Sequence, residues 1–419
     1  MSVMRTLLSV ILLYLPALLA HATADLPPHI QVDRALDEHV SVLNARSQLQ
    51  IEHSEQRKRE SGDYEFTVHG ALYRDRLLEN GDDVDYRDWE VAIERPFRLP
   101  NKMWIDSEIG EAGVERGRNK LGDARHETSR LLLQLWFDWQ REQAQAAQWQ
   151  QQVEILRQQA TITEKRIRAG DAPRMELNQI NAAAAMSGVS LRQAQLRTEL
   201  AADQLQRQFK AIKLPAAITP VEPQSIEQPL SFWRGAVLEH NHELGLAKSE
   251  AVFQNRLAAR ASADRLPDPT LGLRYASQLN NRQKIGGIYF SIPLGYSARS
   301  ASADSASHTA VIPADREQAL RIRLEGDIFS AYTRAVSTFQ IWQQARDASS
   351  ALHQNAELVA RAYSLGESSL DATLIARRQS LEAALAENTA RLDANEARYR
   401  LQLDAHQLWT GDNDRHQEH

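Results

Sequence analysis

The chain has no cysteine. This excludes a disulfide framework, an iron–sulfur cluster, a thiolate zinc site, a cysteine nucleophile and a lipidated N-terminal cysteine. It has no excess of positive charge either. The 49 Lys and Arg against 55 Asp and Glu leave a net charge of −6 with histidine neutral, so no nucleic-acid partner is expected. A mean hydropathy of −0.49 excludes a helical membrane protein, although alternating β-barrel strands hardly register on such a scale. No HExxH, P-loop, GxSxG or dinucleotide fingerprint occurs, and no acid, base and nucleophile converge on a recognisable pattern. The expectation is no enzyme, no cofactor and no resident metal. At 419 residues, with 6% aromatic and 25% charged residues, the chain suits two ordinary domains or one large repeated unit.

The first 24 residues have the pattern of an export signal. Arg5 is a basic leader, Leu7–Leu19 an apolar run, and Ala20-His21-Ala22 and Ala22-Thr23-Ala24 are both small-x-small cleavage sites. The run is shorter than the ~20 residues a spanning helix needs. Which of the two sites is cut stays open at this point.

The rest of the chain is written twice. Ala35-x-x-Glu38-His39-x-x-x-Leu43 matches Ala236-x-x-Glu239-His240-x-x-x-Leu244. That match makes His240-Asn241-His242 a helix opening rather than a metal site. Each copy reads as a helical opening, a pair of alternating segments ending at a proline (Pro96, Pro293), then a long Ala/Gln/Arg/Glu-rich stretch interrupted at a glycine (Gly170, Gly366). The divisions expected are a signal peptide at 1–24, a first repeat at 25–211, a proline-rich connector at 212–230, a second repeat at 231–410 and a polar tail at 411–419.

The alternating segments have two faces, as strands do. Tyr64, Phe66 and Val68 oppose Glu65, Thr67 and His69. Trp89, Val91 and Ile93 oppose Glu90, Ala92 and Glu94. Leu271, Leu273 and Tyr275 oppose Gly272 and Arg274, and Ile288, Phe290 and Ile292 oppose Tyr289 and Ser291. Short polar turns at Glu79–Asp83 and Asn280–Arg282 join each pair. Four strands are too few to close a barrel, for which ~8 is the usual minimum. They suit a small sheet packed on helices, or a barrel shared between chains.

The helical stretches carry heptad seams: Leu177, Ile180, Ala184, Ser187, Leu191, Ala194, Thr198, Ala201 and Leu205 in the first copy, and Leu381, Leu385, Leu392, Tyr399 and Leu403 in the second. Residues 112–168 alone would span ~85 Å as helix. Gly113, Gly117 and Gly122 are expected to soften the first long helix, and Pro313 to break or kink its counterpart. The cluster Leu131–Phe137 exceeds one stripe and points to burial between neighbouring helices.

With these parts in place the chain resembles the TolC-like outer-membrane efflux proteins over roughly residues 30–410. The most specific strings are Leu266-Pro267-Asp268-Pro269-Thr270-Leu271-Gly272-Leu273 and Gly287-Ile288-Tyr289-Phe290-Ser291-Ile292-Pro293-Leu294. They are most similar to the branch serving heavy-metal efflux, the CzcC type. The resemblance implies a mainly α fold with a β-barrel part. In it, two tandem repeats contribute four strands per chain to a trimeric, 12-stranded outer-membrane barrel, and coiled-coil helices form a periplasmic α-barrel. It implies a homotrimer in outer-membrane lipid, extending into the periplasm, with a periplasmic adaptor (membrane fusion protein) and an inner-membrane RND-type transporter as partners. The cargo implied is a heavy-metal cation; drug efflux or type I secretion, or a soluble periplasmic coiled-coil scaffold, are the alternatives.

On this resemblance the apolar strand faces meet lipid, and Glu65, His69, Glu90, Glu94 and Arg274 line the barrel lumen. Ala169, Gly170, Asp171, Ala172 and Pro173, with Leu365, Gly366, Glu367, Ser368 and Ser369, form hairpin tips that dock the adaptor; plain helix capping is the alternative. Glu176 and Asp371 are the candidate periplasmic gate, against a simple solvated helix face. Where the family often has a second acidic residue, this chain has Ile375, which argues against a double acidic ring.

Overall fold

The computed structural model describes residues 25–62, 64–79, 81–216 and 218–409. The expected export signal at 1–24 and the expected polar tail at 411–419 lie outside the described residues. The same series of elements occurs twice. The first half has α1 (His29–Glu38), α2 (Val40–Ser61), β1 (Thr67–Glu79), β2 (Asp82–Pro96), α3 (Pro100–Ala169) and α4 (Arg174–Gln208). The second has α5 (Leu230–His240), α6 (His242–Ala263), β3 (Thr270–Gln278), β4 (Gln283–Ser291), α7 (Ser297–Ser364) and α8 (Leu370–Asp404).

Each helical opening is two helices, not the single one its length suggests. His39 caps α2, its Nδ1 accepting from Ser41 N at 3.3 Å. Asn241 caps α6, its Oδ1 accepting from Leu244 N at 2.7 Å. In both cases a polar side chain replaces the missing backbone acceptor and lets the axis turn.

The helices α3 and α7, of 70 and 68 residues, are about 100 Å long at the α-helical rise. Neither breaks where the sequence suggests. Gly113 and Gly117 of α3 lie against Glu52 and Leu49 of α2, and Gly122 against the His242 ring of α6, where an added Cβ would crowd these side chains. These glycines permit close helix packing rather than softening α3. Pro313 lies buried inside a continuous α7; its flanking turns carry the helix past the lost hydrogen bond.

The main core gathers Leu132, Leu133, Trp136 and Phe137 of α3 with Leu36 of α1, Leu205 of α4 and Leu392, Tyr399 and Leu403 of α8. The apolar cluster that exceeded one stripe is therefore covered from several sides. The α4 seam buries Ile180, Ser187, Ala194 and Leu205, and the α8 seam buries Leu381, Leu392, Tyr399 and Leu403. Among the described residues, no helix is long and apolar enough to cross a membrane.

The four strands form one antiparallel sheet in the order β1-β2-β3-β4. It joins the helices through a buried polar node. Lys102, 1% exposed, donates to Leu266 O at 2.7 Å and lies 3.0 Å from both Asp264 and Asp268. Asp268 also accepts from Tyr64 Oη at 2.7 Å and Leu99 N at 3.2 Å. A single carboxylate thus ties the entry to β1, the start of α3 and the start of β3.

Candidate functional site

Two regions carry the features singled out from the sequence: the sheet, and the helical hairpin tips at Gly170 and Gly366.

In the sheet, register puts Val68, Ile93, Leu273 and Ile288 in one row across all four strands. They are 66%, 40%, 56% and 74% exposed. Leu72, Val91, Leu271 and Phe290 on the same side are exposed as well, and so is Phe66 just before β1. A continuous apolar face is therefore left uncovered, well beyond the scattered exposed apolar residues of ordinary surfaces.

The opposite face is polar and internally bonded. His69 Nε2 lies 3.0 Å from Glu94 Oε1, Tyr289 Oη donates to Glu94 Oε2 at 2.7 Å, and Arg274 donates to Glu90 at 2.5 Å. The structure thus brings His69, Glu90, Glu94 and Arg274 onto one face. Sequence reading missed Tyr289 as a member of this network. Its ring lies across Gly272, its direct cross-strand partner, where any Cβ would collide. A glycine opposite an aromatic was the available signal.

Glu65 is a correction. It precedes β1, which starts at Thr67. The chain at 64–66 is tied down by other bonds: Tyr64 O accepts from Arg95 Nε at 2.9 Å and its hydroxyl donates to Asp268. Glu65 is exposed here but belongs to no strand face.

Hairpin β1–β2 is longer than its alternating core. Tyr73–Glu79 pairs with Asp82–Asp88, while β3 pairs with β2 only from Trp89 to Pro96. This outer ribbon loses the apolar phase. Arg74 and Arg76 stand where apolar residues are expected, and both bond Asp85. Arg87 N donates to Asn280 Oδ1 at 2.9 Å, fastening the ribbon to the β3–β4 turn.

The two tips share one construction. Gly170 and Gly366 have φ of +82° and +80°, a region open to glycine at little cost. Asp171 N bonds Arg166 O and Glu367 N bonds Ala362 O, both at 2.9 Å, the closing bond of a Schellman turn. Pro173 and Ser369 then start α4 and α8; Ser369 Oγ accepts from Ala372 N at 3.2 Å. Ala169, Gly170, Asp171, Pro173, Leu365, Gly366, Glu367 and Ser369 are exposed, and Ala172 and Ser368 are half-buried.

The tips lie side by side around Ile180, Tyr363 and Leu370. Glu176 and Asp371, far apart in sequence, come to this same end. Glu176 accepts a hydrogen bond from Tyr363 Oη and lies 3.9 Å from Arg166, whose guanidinium stacks over the Tyr363 ring at 5.1 Å. Asp371 accepts from Gln179 Nε2 at 3.1 Å. Glu176 therefore has a cation and a hydroxyl of its own chain, while Asp371 stays exposed. Tyr363 and Gln179 were not legible as members of this group, because their partners Glu176 and Asp371 lie on the other hairpin.

No family model and no curated protein sequence matches the chain. Solved structures do. The CmeC outer-membrane channel of Campylobacter jejuni superposes with a TM-score of 0.74 at 16% identity, covering 93% of this chain and 88% of that one. The outer-membrane protein VceC of Vibrio cholerae gives 0.70 at 15%, covering 91% and 95%. The open state of the MtrE outer-membrane channel of Neisseria gonorrhoeae gives 0.62 at 16%, covering 90% and 88%. With its doubled helix–hairpin–helix series, open four-stranded sheet and paired helical tips, the chain has the fold of these outer-membrane channels.

Proposed function

We propose that the chain is the outer-membrane channel of a tripartite efflux pump, exporting heavy-metal cations. The observation that carries the reading is the sheet: two open edges, one continuous exposed apolar face and one internally bonded polar face. Lipid suits the first face and a water-filled lumen lined by His69, Glu90, Glu94 and Arg274 suits the second. Pairing of β4 with β1 of a neighbouring copy satisfies both open edges, and three copies close the barrel.

The long helices would then run through the periplasm as a tube. Its far end would be the two tips, which dock a periplasmic adaptor and, through it, an inner-membrane RND-type pump that supplies the energy. The bonds from Tyr363 to Glu176 and from Gln179 to Asp371 join the two hairpins at that end. Holding them together keeps the tube narrow; separating them opens it. Heavy metal as cargo rests on the Pro267–Gly272 and Ser291–Leu294 strings, which do not themselves touch cargo.

The test is deletion of the gene, followed by growth on zinc, cobalt, cadmium, copper and silver beside dyes and detergents. Hypersensitivity to one or two metals, restored by the wild-type gene, is the expected result and names the cargo. Sensitivity to dyes with normal metal tolerance moves the protein to drug efflux. A salt-extractable protein that gives no conductance in a planar bilayer sinks the channel reading altogether.

A further inference from the structure

Asp25 lies between the export signal and α1, yet it is 1% exposed. Its backbone carbonyl accepts from Trp136 Nε1 at 2.7 Å and Gln140 Nε2 at 2.6 Å. Its Oδ1 accepts from Tyr399 Oη at 2.9 Å. Two acceptors in this pocket are buried with no hydrogen-bond partner: Asp25 Oδ2 and Gln140 Oε1. Burial pushes the carboxyl up; the Tyr399 hydroxyl, the backbone nitrogen of Asp25 itself and the more distant guanidinium groups of Arg391 and Arg398 pull it back only in part. A carboxylate in such a place is costly unless a cation or further donors accompany it.

The missing donors can come from that same nitrogen. As part of a peptide bond it carries one hydrogen. As a free chain terminus it carries three and a positive charge at neutral pH, since an α-amino group titrates near pH ~8. Of the two small-x-small sites, the one ending at Ala24 puts the terminus on Asp25. The one ending at Ala22 leaves Thr23 and Ala24 attached and the nitrogen an amide.

We propose that export signal peptidase cuts between Ala24 and Asp25, and that the α-ammonium so formed is the direct donor and ion-pair partner of the buried Asp25 carboxylate, nearer than the guanidinium groups of Arg391 and Arg398, locking the mature N-terminus between α3 and α8. The step is a hydrolysis: the Ala24–Asp25 amide bond breaks, water supplies hydroxyl to the Ala24 carbonyl carbon and hydrogen to the Asp25 nitrogen, and the amine takes up a proton from solvent. The cut precedes folding, since the folded chain buries the bond's nitrogen side. The inference rests on the export reading and selects between its two sites.

Intact mass and the N-terminal peptide of protein purified from outer membranes decide the cut. A chain of residues 25–419 is the expected result. A start at Thr23, or a full-length chain, overturns the proposal; protein absent from the outer-membrane fraction overturns the export reading on which it rests. The ion pair is tested on the same sample with an amine-acylating reagent at neutral pH. The α-amine should react at least tenfold more slowly in folded protein than after denaturation, and Asp25→Asn should narrow that gap. Equal labelling in both states sinks the buried ammonium.

Discussion

At the scale of single residues, polar groups buried at element junctions control stability. Lys102 has two carboxylates and a carbonyl as partners and almost no contact with water. Lys102→Met leaves Asp268 without its cation, and removing one member of a buried pair costs about 3–5 kcal/mol. A lowered thermal midpoint with far-UV circular dichroism unchanged before melting is the expected outcome. An equal loss of helix signal at low temperature would show that the node acts on the whole fold instead.

A histidine group responds to acid. His126 of α3 stacks on His406 at 5.3 Å, and His242 of α6 meets His406 edge-on at 5.0 Å, with His240 at 6.0 Å. Asp404 and Arg130 flank them. Burial, with Arg130 and His406 beside it, depresses His126 from 6.5 to about 2. The unfolded chain therefore takes up this proton before the folded one, and stability falls as pH drops below ~6.5. Asp123 acts in the opposite sense. Burial beside Glu127 and Glu243 pushes it up to about 6, so between pH ~6 and ~4 the folded state binds the proton first and gains. His126→Asn should shrink the fall in melting temperature between pH 7 and 5, and Asp123→Asn should enlarge it, each by ~2 °C. Parallel pH profiles for wild type and both variants would rule the group out.

At the scale of elements, the long helices hold together through seams with one dense core. Phe137 is fully buried among α1, α4 and α8. Phe137→Ala should cost about 3–5 kcal/mol, read as a shift in denaturation midpoint with unchanged slope. The tips behave differently, since their bonds link two hairpins rather than filling a core. Tyr363→Phe removes the hydroxyl that Glu176 accepts from, a change of about 1 kcal/mol in stability. Its larger effect is expected on opening: higher single-channel conductance and greater uptake of a large antibiotic. Conductance equal to wild type would confine Tyr363 to packing.

At the scale of the whole molecule, the exposed face of the sheet demands a partner. Arginine at the lipid face of a barrel costs about 2–4 kcal/mol near the bilayer midplane, and far less in the lumen. Ile288→Arg, at the β4 end of the apolar row, should reduce the heat-resistant oligomer recovered from outer membranes. His69→Arg, on the polar face beside Glu94, should leave it intact. Equal recovery of both would mean that neither face meets lipid. The outer ribbon of β1–β2 was invisible from sequence for a related reason. Once a strand leaves the apolar layer its alternation stops, and with it the periodic signal that marks a strand.

The sequence alone determined the kinds of element, their doubled order, the two-faced strands and the glycine turns at 170 and 366. Each of these rests on local periodicity or on a backbone angle that one residue type favours. Tertiary structure decided which side chains meet: Asp268 with Lys102 and Tyr64, Glu176 with Tyr363, His406 with His126 and His242, Asp25 with Tyr399. It also decided that Glu65 lies outside the sheet and that Gly117 and Pro313 do not interrupt their helices. The physical reason is common to all of them. A repeat pattern specifies the face a residue occupies, but not the distant segment packed against that face, and it is this segment that supplies the partner.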